Sequence, residues 1–414
     1  MKLILPSGSH TLRTHILSVL SLAKQVGFST DNITVSCSDD LYTIIVQQGD
    51  NARHISADIL GSIFNSESST NERDVRIRYL HDMSESQLST SLEAAQQGDV
   101  FVDVVTASQW LDVWSCRERV IKASAAASSV NDHTKHLAWL VVSIALDFPL
   151  EDAVMVARAG CVSRETWPSH LNQFPKPVIE NANLDIRVGW AVEASSLPFP
   201  TVSKSKLGLY PVVDSVDWVA KLLDLGIKTV QLRIKQSDSP DLEQQIVQAI
   251  ELGTKYRAQV FINDYWQLAI KHGAYGVHLG QEDIEIANLK LLAEQGIALG
   301  LSTHGYYELL RIIQINPSYI ALGHIFPTTT KEMPSKPQGL IKLGLYQRLI
   351  DSIPYGKQMG YPTVAIGGID LQTATAVWNC GVTSLAVVRA ITLADDVHDV
   401  IQQFHTIMDG GRDG

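Results

Sequence analysis

Several things are scarce in this sequence, and each scarcity closes off a class of protein. Cysteine occurs four times in 414 residues, at Cys37, Cys116, Cys161 and Cys380, with no close metal or redox pairing. That excludes the short Cys-x-x-Cys motifs of zinc and redox sites and suits a reducing cytoplasm. Long hydrophobic runs are missing too. The longest, residues 137–146, spans ten residues between His136 and Asp147, about half of the ~20 that a bilayer needs, and reads as a buried helix. The start, Met1-Lys2-Leu3-Ile4-Leu5-Pro6, breaks before a signal-like apolar region develops, so no export signal and no membrane partner are expected. Positive charge is outnumbered, with 33 Lys and Arg against 44 Asp and Glu and a formal net charge of -11. Without a broad basic field no nucleic-acid partner is expected, although a local basic pocket can still hold a phosphate ester.

What is present is an ordinary globular balance, 45% hydrophobic and 19% charged, which rules out a wholly disordered chain. The length exceeds what one hydrophobic core usually serves, so two domains are expected. They differ in grammar. From Leu207 onward, β-rich runs alternate with helix-length amphipathic stretches such as 218–225, 242–256 and 371–379. The runs occupy 207–214, 229–235, 259–264, 275–280, 298–304, 319–325, 363–368 and 384–389. Eight such units predict a closed parallel barrel, because parallel strands need crossovers and closure removes both sheet edges. The predicted fold class is therefore α/β, a C-terminal TIM (β/α)8 barrel preceded by an α/β domain. The first half offers strand-like runs at 32–36, 42–46 and 100–105 and helical stretches near 11–25 and 137–159. The Pro-rich stretch from Trp167 to Lys206 holds the boundary; the expected division is 1–190, a linker at 191–206 and a barrel at 207–414.

In such a barrel the chemistry sits at the carboxyl ends of the strands. The second run ends with Gln231, Arg233 and Lys235, which a period of two places on one face; a cationic stripe in a barrel interior is unfavourable unless an anion meets it. The third run ends Asn263-Asp264, the fourth is followed by Gly280-Gln-Glu-Asp283, and the fifth ends Ser302-Thr303-His304. After the sixth comes Phe326-Pro-Thr-Thr-Thr-Lys331, and the seventh ends Gly367-Gly368. Each has an ordinary alternative: solvated exterior charges, helix caps at Asn263, Asp264 and Ser302, and a tight turn at the glycines. Four consecutive polar strand ends of complementary type favour a site. Asp264 and Asp283 suit Mg2+ through oxygen ligands, and Arg233, Lys235 and Lys331 suit a pyrophosphate. The glycines after the seventh strand and the amides after the eighth suit a phosphate. This combination points to group transfer with pyrophosphate as the leaving group. His278, His304 and His324 invite a zinc reading, but no His-x-His pair anchors one and the cationic stripe opposes it; they are read as packing or hydrogen-bonding residues.

Along the whole barrel these motifs resemble the thiamine-phosphate synthase family. The matching stretches are Leu-Gly-Leu-Tyr-Pro-Val-Val-Asp, Gln-Leu-Arg-Ile-Lys, Phe-Ile-Asn-Asp, Gly-Val-His-Leu-Gly-Gln-Glu-Asp, Ser-Thr-His, Ala-Leu-Gly-His-Ile-Phe-Pro-Thr-Thr-Thr-Lys and Ala-Ile-Gly-Gly-Ile. The resemblance implies a cytoplasmic, Mg2+-dependent transferase that joins 4-amino-5-hydroxymethyl-2-methylpyrimidine diphosphate to hydroxyethylthiazole phosphate, or its carboxylated form, by a dissociative displacement. It implies that Gln231, Leu232, Arg233, Ile234, Lys235 and Asn263 contact the pyrimidine diphosphate and that Asp264 and Asp283 ligate the metal. Ser302 meets the diphosphate or the pyrimidine amine, and Lys331 binds the pyrophosphate. Thr328, Thr329 and Thr330 contact the thiazole partner, whose phosphate Gly368, Val388 and the amide of Arg389 hold. The family often has Ser where this chain has Arg389. Catalysis is assigned to Ser302, Lys331, Arg233 and Lys235. A thiazole tautomerase-like paralogue and a non-catalytic sensor of thiamine precursors are the alternatives, and a homo-oligomer is left open.

The first half resembles, more faintly, the end of a ribokinase-like domain of the hydroxymethylpyrimidine phosphate kinase class, at Ser129-Val-Asn-Asp132-His-Thr-Lys-His, the apolar helix, and Pro149-Leu-Glu-Asp-Ala-Val-Met-Val-Ala-Arg158. The glycines of that class's anion-binding turn are absent, with Val130 and Asn131 before Asp132, and side chains at those positions would obstruct a phosphate. Asp132 reads equally as a helix N-cap. A degenerate, non-catalytic domain is expected.

Overall fold

The computed structural model describes residues 1–39, 42–61, 74–80, 88, 91–93, 95–106, 109–116, 120–163, 165–190, 199–328 and 336–410. The chain divides into two compact units, Met1–Val188 and Gly189–Gly414.

The first unit is built on a mixed sheet. Its strands are β1 (Lys2–Pro6), β2 (Thr34–Ser38), β3 (Thr43–Gln48), β4 (Asn51–Ala57), β5 (Val75–Tyr79), β6 (Asp99–Val105), β7 (Trp110–Ser115), β8 (Ile121–Ala126) and β9 (Lys176–Pro177). They lie in the order β2-β1-β3-β4-β5-β6-β7-β8-β9, with parallel pairing only at β1/β2, β4/β5 and β5/β6. A short ribbon, β10 (Glu180–Asn181) and β11 (Ile186–Arg187), follows. The principal helices are α1 (His10–Gln25), α2 (His133–Ala145) and α3 (Leu150–Val162). The ten-residue apolar run lies largely in α2, where His136 to Ala145 are all buried. The helical stretch expected over 137–159 is in fact two helices. Asp147 takes a left-handed φ of 66°, and Pro149, which has no N–H to continue a ladder, is the N-cap of α3. Asp132 caps α2, its carboxylate accepting the Lys135 amide at 2.9 Å, so the capping expectation holds there.

The second unit is a closed parallel barrel of eight strands. They are β12 (Leu209–Val213), β13 (Thr229–Leu232), β14 (Gln259–Asn263), β15 (Gly276–Leu279), β16 (Ala298–Thr303), β17 (Tyr319–Leu322), β20 (Thr363–Ile366) and β21 (Ser384–Val387). A small hairpin, β18 (Pro354–Tyr355) and β19 (Gln358–Met359), interrupts the numbering. Amphipathic helices return the chain between strands: α5 (Val216–Asp224) buries Val219, Leu222 and Leu223, and the Ser215 hydroxyl caps it by accepting the Trp218 amide. Within the stretch expected as a linker, Phe199 and Val202 are buried, and the Val202 amide donates to the Tyr355 hydroxyl at 2.9 Å. The one-turn helix α4 (Lys204–Leu207) leads into β12.

The period of two sorts the strand residues. Tyr210, Val212, Phe261, Ala298, Tyr319, Ala321, Val364 and Ala386 form one apolar cluster inside the barrel. The next inward-facing positions toward the carboxyl ends are Gln231, Asn263, His278 and Ser302, all on neighbouring strands.

Candidate active site

The carboxyl ends of β13 to β16 bring most of the expected residues to one end of the barrel. Gln231 and Asn263 are buried on the inner face of their strands. Leu232 is buried too, but on the opposite face from Gln231, so only its backbone can reach a ligand. The stripe expected over 229–235 needs correction. β13 ends at Leu232, and the last rung is the Arg233 amide donating to Val213 at 2.7 Å. β12 also ends at Val213, so on that side no strand holds an extended backbone beyond it. Arg233 and Ile234 are consequently half-buried and Lys235 is exposed at the rim. The guanidinium of Arg233 has no hydrogen-bond or ion-pair partner among the described residues. An unneutralised cation, partly withdrawn from water beside a barrel mouth, is suited to a bound anion.

Asp264 follows β14 in a left-handed conformation, φ 64°, with its amide donating to the His278 carbonyl at 3.0 Å. Its side chain is exposed. Asp283 opens the 3-10 turn Asp283–Glu285 after β15, and its Oδ2 accepts the Gly280 amide at 2.9 Å, which folds the loop back toward the strand end. Neither Asn263 nor Asp264 caps the next helix, α7 (Trp266–His272), whose N-cap is Tyr265. Ser302 does not cap α9 (Tyr306–Ile312) either, since Gly305 stands there. The helix-cap alternative therefore fails at these three polar residues.

Ser302 is half-buried on β16. Its Oγ lies 2.8 Å from His278 Nε2, and its carbonyl accepts from Gln281 at 2.7 Å. His304 does not join His278; its Nδ1 lies 2.8 Å from Glu308. Burial, with His304 nearby, lowers the His324 pKa. No cluster of three or more His, Cys, Asp or Glu that could hold a metal occurs among the described residues. Tyr210 and Tyr319, to which the sequence alone assigned no role, have their hydroxyls 3.0 Å apart within the barrel. Burial pushes both phenols well above their ordinary range, so they stay protonated. Two tyrosines at inward positions of strands could have signalled a polar thread through the core.

On the far side, Gly367 and Gly368 have φ of 104° and 67°. A Cβ at Gly368 would come within 2.8 Å of Phe326 Cβ and of the Pro327 carbonyl, so this turn packs directly on the loop after β17. Val388 is the N-cap of α12 (Arg389–Thr392), and Arg389 is exposed. Thr328 is half-buried in the loop after β17. Thr329, Thr330 and Lys331 lie outside the described residues.

An eight-stranded parallel barrel with hydroxyl, amide, carboxylate and guanidinium groups at its strand ends is an α/β-barrel enzyme of the phosphate-handling kind. The family model described as thiamine monophosphate synthase matches residues 205–391. The thiamine-phosphate synthase of Serratia proteamaculans is 55% identical over 213 residues, 51% of this chain and 96% of the relative. That of Proteus mirabilis is 53% identical over 208 residues, 50% of this chain and 93% of the relative. A solved thiamine phosphate pyrophosphorylase from Pyrococcus furiosus covers 50% of this chain and 98% of its own at 27% identity, with a TM-score of 0.43. The chain belongs to the thiamine-phosphate synthase family.

Proposed function

We propose that the barrel condenses 4-amino-5-hydroxymethyl-2-methylpyrimidine diphosphate with hydroxyethylthiazole phosphate, or its carboxylated form, to give thiamine phosphate and pyrophosphate. The observation that carries this reading is the 55% identity across 96% of a thiamine-phosphate synthase. The residues at the strand ends support it. In the reaction the bond between the pyrimidine methylene carbon and the diphosphate oxygen breaks, the aminopyrimidine ring shares the resulting positive charge, and the thiazole nitrogen forms the new bond. No protein nucleophile is needed. The protein must hold the partners in line and stabilise the departing charge.

Arg233, without a partner among the described residues, clamps the diphosphate, with Lys235 and Lys331 adding charge and Gln231, Asn263 and the backbone at Leu232 and Ile234 orienting the pyrimidine. Thr328 to Thr330 line the thiazole side, and Gly368, Val388 and the Arg389 amide hold its phosphate. Ser302 meets the diphosphate or the pyrimidine amine. The donor set fits Mg2+: two hard carboxylates on adjacent strand ends, Asp264 and Asp283, with no third ligating side chain gathered among the described residues. An ion that keeps waters and substrate phosphate oxygens asks for little more. When bound, Mg2+ supplies neutralising charge to the leaving pyrophosphate. Asp264→Ala is therefore expected to lower kcat by about a hundredfold or more, and chelation of Mg2+ to do the same in the unaltered enzyme. Near-normal turnover of Asp264→Ala would place the metal elsewhere.

The cytoplasm suits a chain with four free cysteines, and no helix among the described residues is long and apolar enough to cross a membrane. The first unit is proposed to be a kinase-like domain without catalysis. Asp132 is engaged as a helix cap, and the Val130 amide in the same turn donates to the Asp103 carboxylate at 3.0 and 3.1 Å, an internal anion where a phosphate would need that donor. ATP-dependent phosphorylation of a pyrimidine phosphate by the chain would overturn this assignment.

A further inference from the structure

An unbroken hydrogen-bonded path runs through the barrel interior, and the condensation as derived above does not call on its middle members. Gln231 Nε2 donates to Tyr210 Oη at 3.3 Å. Tyr210 Oη lies 3.0 Å from Tyr319 Oη, Tyr319 Oη 2.7 Å from His278 Nδ1, and His278 Nε2 2.8 Å from Ser302 Oγ. The path visits β13, β12, β17, β15 and β16 and ends on a residue at the barrel mouth. Its middle members are sealed: Tyr210 is 1%, Tyr319 0% and His278 9% exposed, so substrate cannot touch the tyrosines. The sequence also keeps space for them. A Cβ on Gly300 would stand 2.1 Å from Tyr319 Cζ and 2.4 Å from its hydroxyl oxygen, so only glycine at this point of β16 admits the phenol.

Counting protons gives the path a direction. An amide nitrogen can only donate, so Tyr210 Oη accepts from Gln231, which also meets Tyr319, and the arrangement that gives the Tyr210 proton an acceptor is donation to Tyr319. Tyr319 passes its own to His278 Nδ1, which must then be the bare nitrogen of the ring. The proton of the imidazole sits on Nε2 and is given to Ser302 Oγ. The proton of Ser302 finds no acceptor among the described residues. Burial raises both phenols far above their ordinary range, so neither loses the proton that the sequence of donations requires.

We propose that Gln231, Tyr210, Tyr319 and His278 form a polarised relay that turns the Ser302 hydroxyl outward as a donor, with the three inner residues acting as positioning residues for the proposed condensation. The inference rests on that reading, and it deepens it. A departing diphosphate oxygen is an acceptor and needs a donor, so the relay assigns Ser302 to the diphosphate rather than to the pyrimidine amine. Each donation in the series also polarises the next, strengthening the final O–H. Because Gln231 and Ser302 stand on different strands, the relay ties two proposed substrate contacts to one internal state.

The test has two arms on the full chain. In the first, 15N NMR of histidine-labelled protein, with His278 assigned by loss of its signal in His278→Asn, reads the tautomer without any substrate. A proton on Nε2 is expected, and a mixed or reversed tautomer in Tyr319→Phe. A proton on Nδ1 in the unaltered protein overturns the polarity. The second arm is a double-mutant cycle. Tyr319→Phe is expected to lower kcat about tenfold, the worth of one well-aligned hydrogen bond, with the KM of the thiazole phosphate within about twofold. In a Ser302→Ala background the same change is expected to have little further effect. An equal loss in both backgrounds makes Tyr319 merely structural and refutes the relay. A Ser302→Ala enzyme with undiminished kcat refutes the proposed site instead, while the tautomer still judges the relay's direction. Should Tyr319→Phe fail to fold, His278→Phe removes the ring nitrogen that meets Ser302 and is expected to show the same dependence on Ser302.

Discussion

His136 is wholly buried on α2, with Nδ1 3.1 Å from the Tyr79 hydroxyl and Nε2 without a partner among the described residues. Around it lie His133, stacked on Tyr79, and Arg158, which donates to Asp103 at 2.9 Å and to Asp112. Burial lowers the His136 pKa to about 4, against the attraction of Asp112 and Asp103 and with the repulsion of Arg158 and His133. The sign follows directly. The unfolded chain takes up a proton near pH 6.5 and the folded one only near pH 4, so the contribution is complete above pH 6.5 and is lost as pH falls toward 4. At pH 5 the loss amounts to about 2 kcal/mol. Urea unfolding at pH 7 and pH 5 should show it, and a His136→Phe variant should lose correspondingly less; equal losses would contradict the assignment. None of this was legible beforehand, because a histidine's burial depends on which helix face meets the sheet. Asp132, by contrast, was readable as a cap, since capping needs only the four residues around it.

At the scale of elements, Gly160 near the end of α3 shows how two effects of similar size compete. Alanine for glycine inside a helix normally stabilises by about 1 kcal/mol. Here the added Cβ would stand 2.3 Å from two ring carbons of Trp139 on α2, a rigid indole also packed edge-on against Trp167. Overpacking costs about 1–3 kcal/mol, so Gly160→Ala is expected to destabilise by about 1–2 kcal/mol net, read as a lower urea midpoint for the variant; a gain in stability would mean that the two helices can part. Element types in the barrel were legible because each unit repeats one pattern and its neighbours correct a local error. Element ends were not. The strand expected over 229–235 stops three residues short, level with the end of its neighbour β12. In the first unit β1, β4, β5, β7 and β8 went unread, since a mixed sheet has no repeat to reveal them, and the break at Pro149 was hidden within one apolar pattern.

Across the whole molecule, one half carries a fold that its sequence announces and the other a fold that it does not. Closure of the barrel followed from counting eight units, and the polar strand ends followed from knowing which end of a parallel strand bears chemistry. The candidate site was legible to the extent that it lies on strand ends: Gln231, Asn263 and Ser302 fall where the period of two puts them, and Asp264 directly follows its strand. The internal path to Ser302 was not legible, because it joins strands distant in sequence through residues that look like core. Net charge misled least: the chain is acidic overall, yet Arg233 has no protein partner among the described residues.

The central claim is that the chain transfers the aminopyrimidinylmethyl group from diphosphate to a thiazole nitrogen. Its most direct test follows both products in one reaction of the full-length protein with the two substrates and Mg2+. The account predicts thiamine phosphate and pyrophosphate formed in equal amounts, with loss of both in Arg233→Ala. No thiamine phosphate at saturating substrates, or pyrophosphate released without it, would contradict the account.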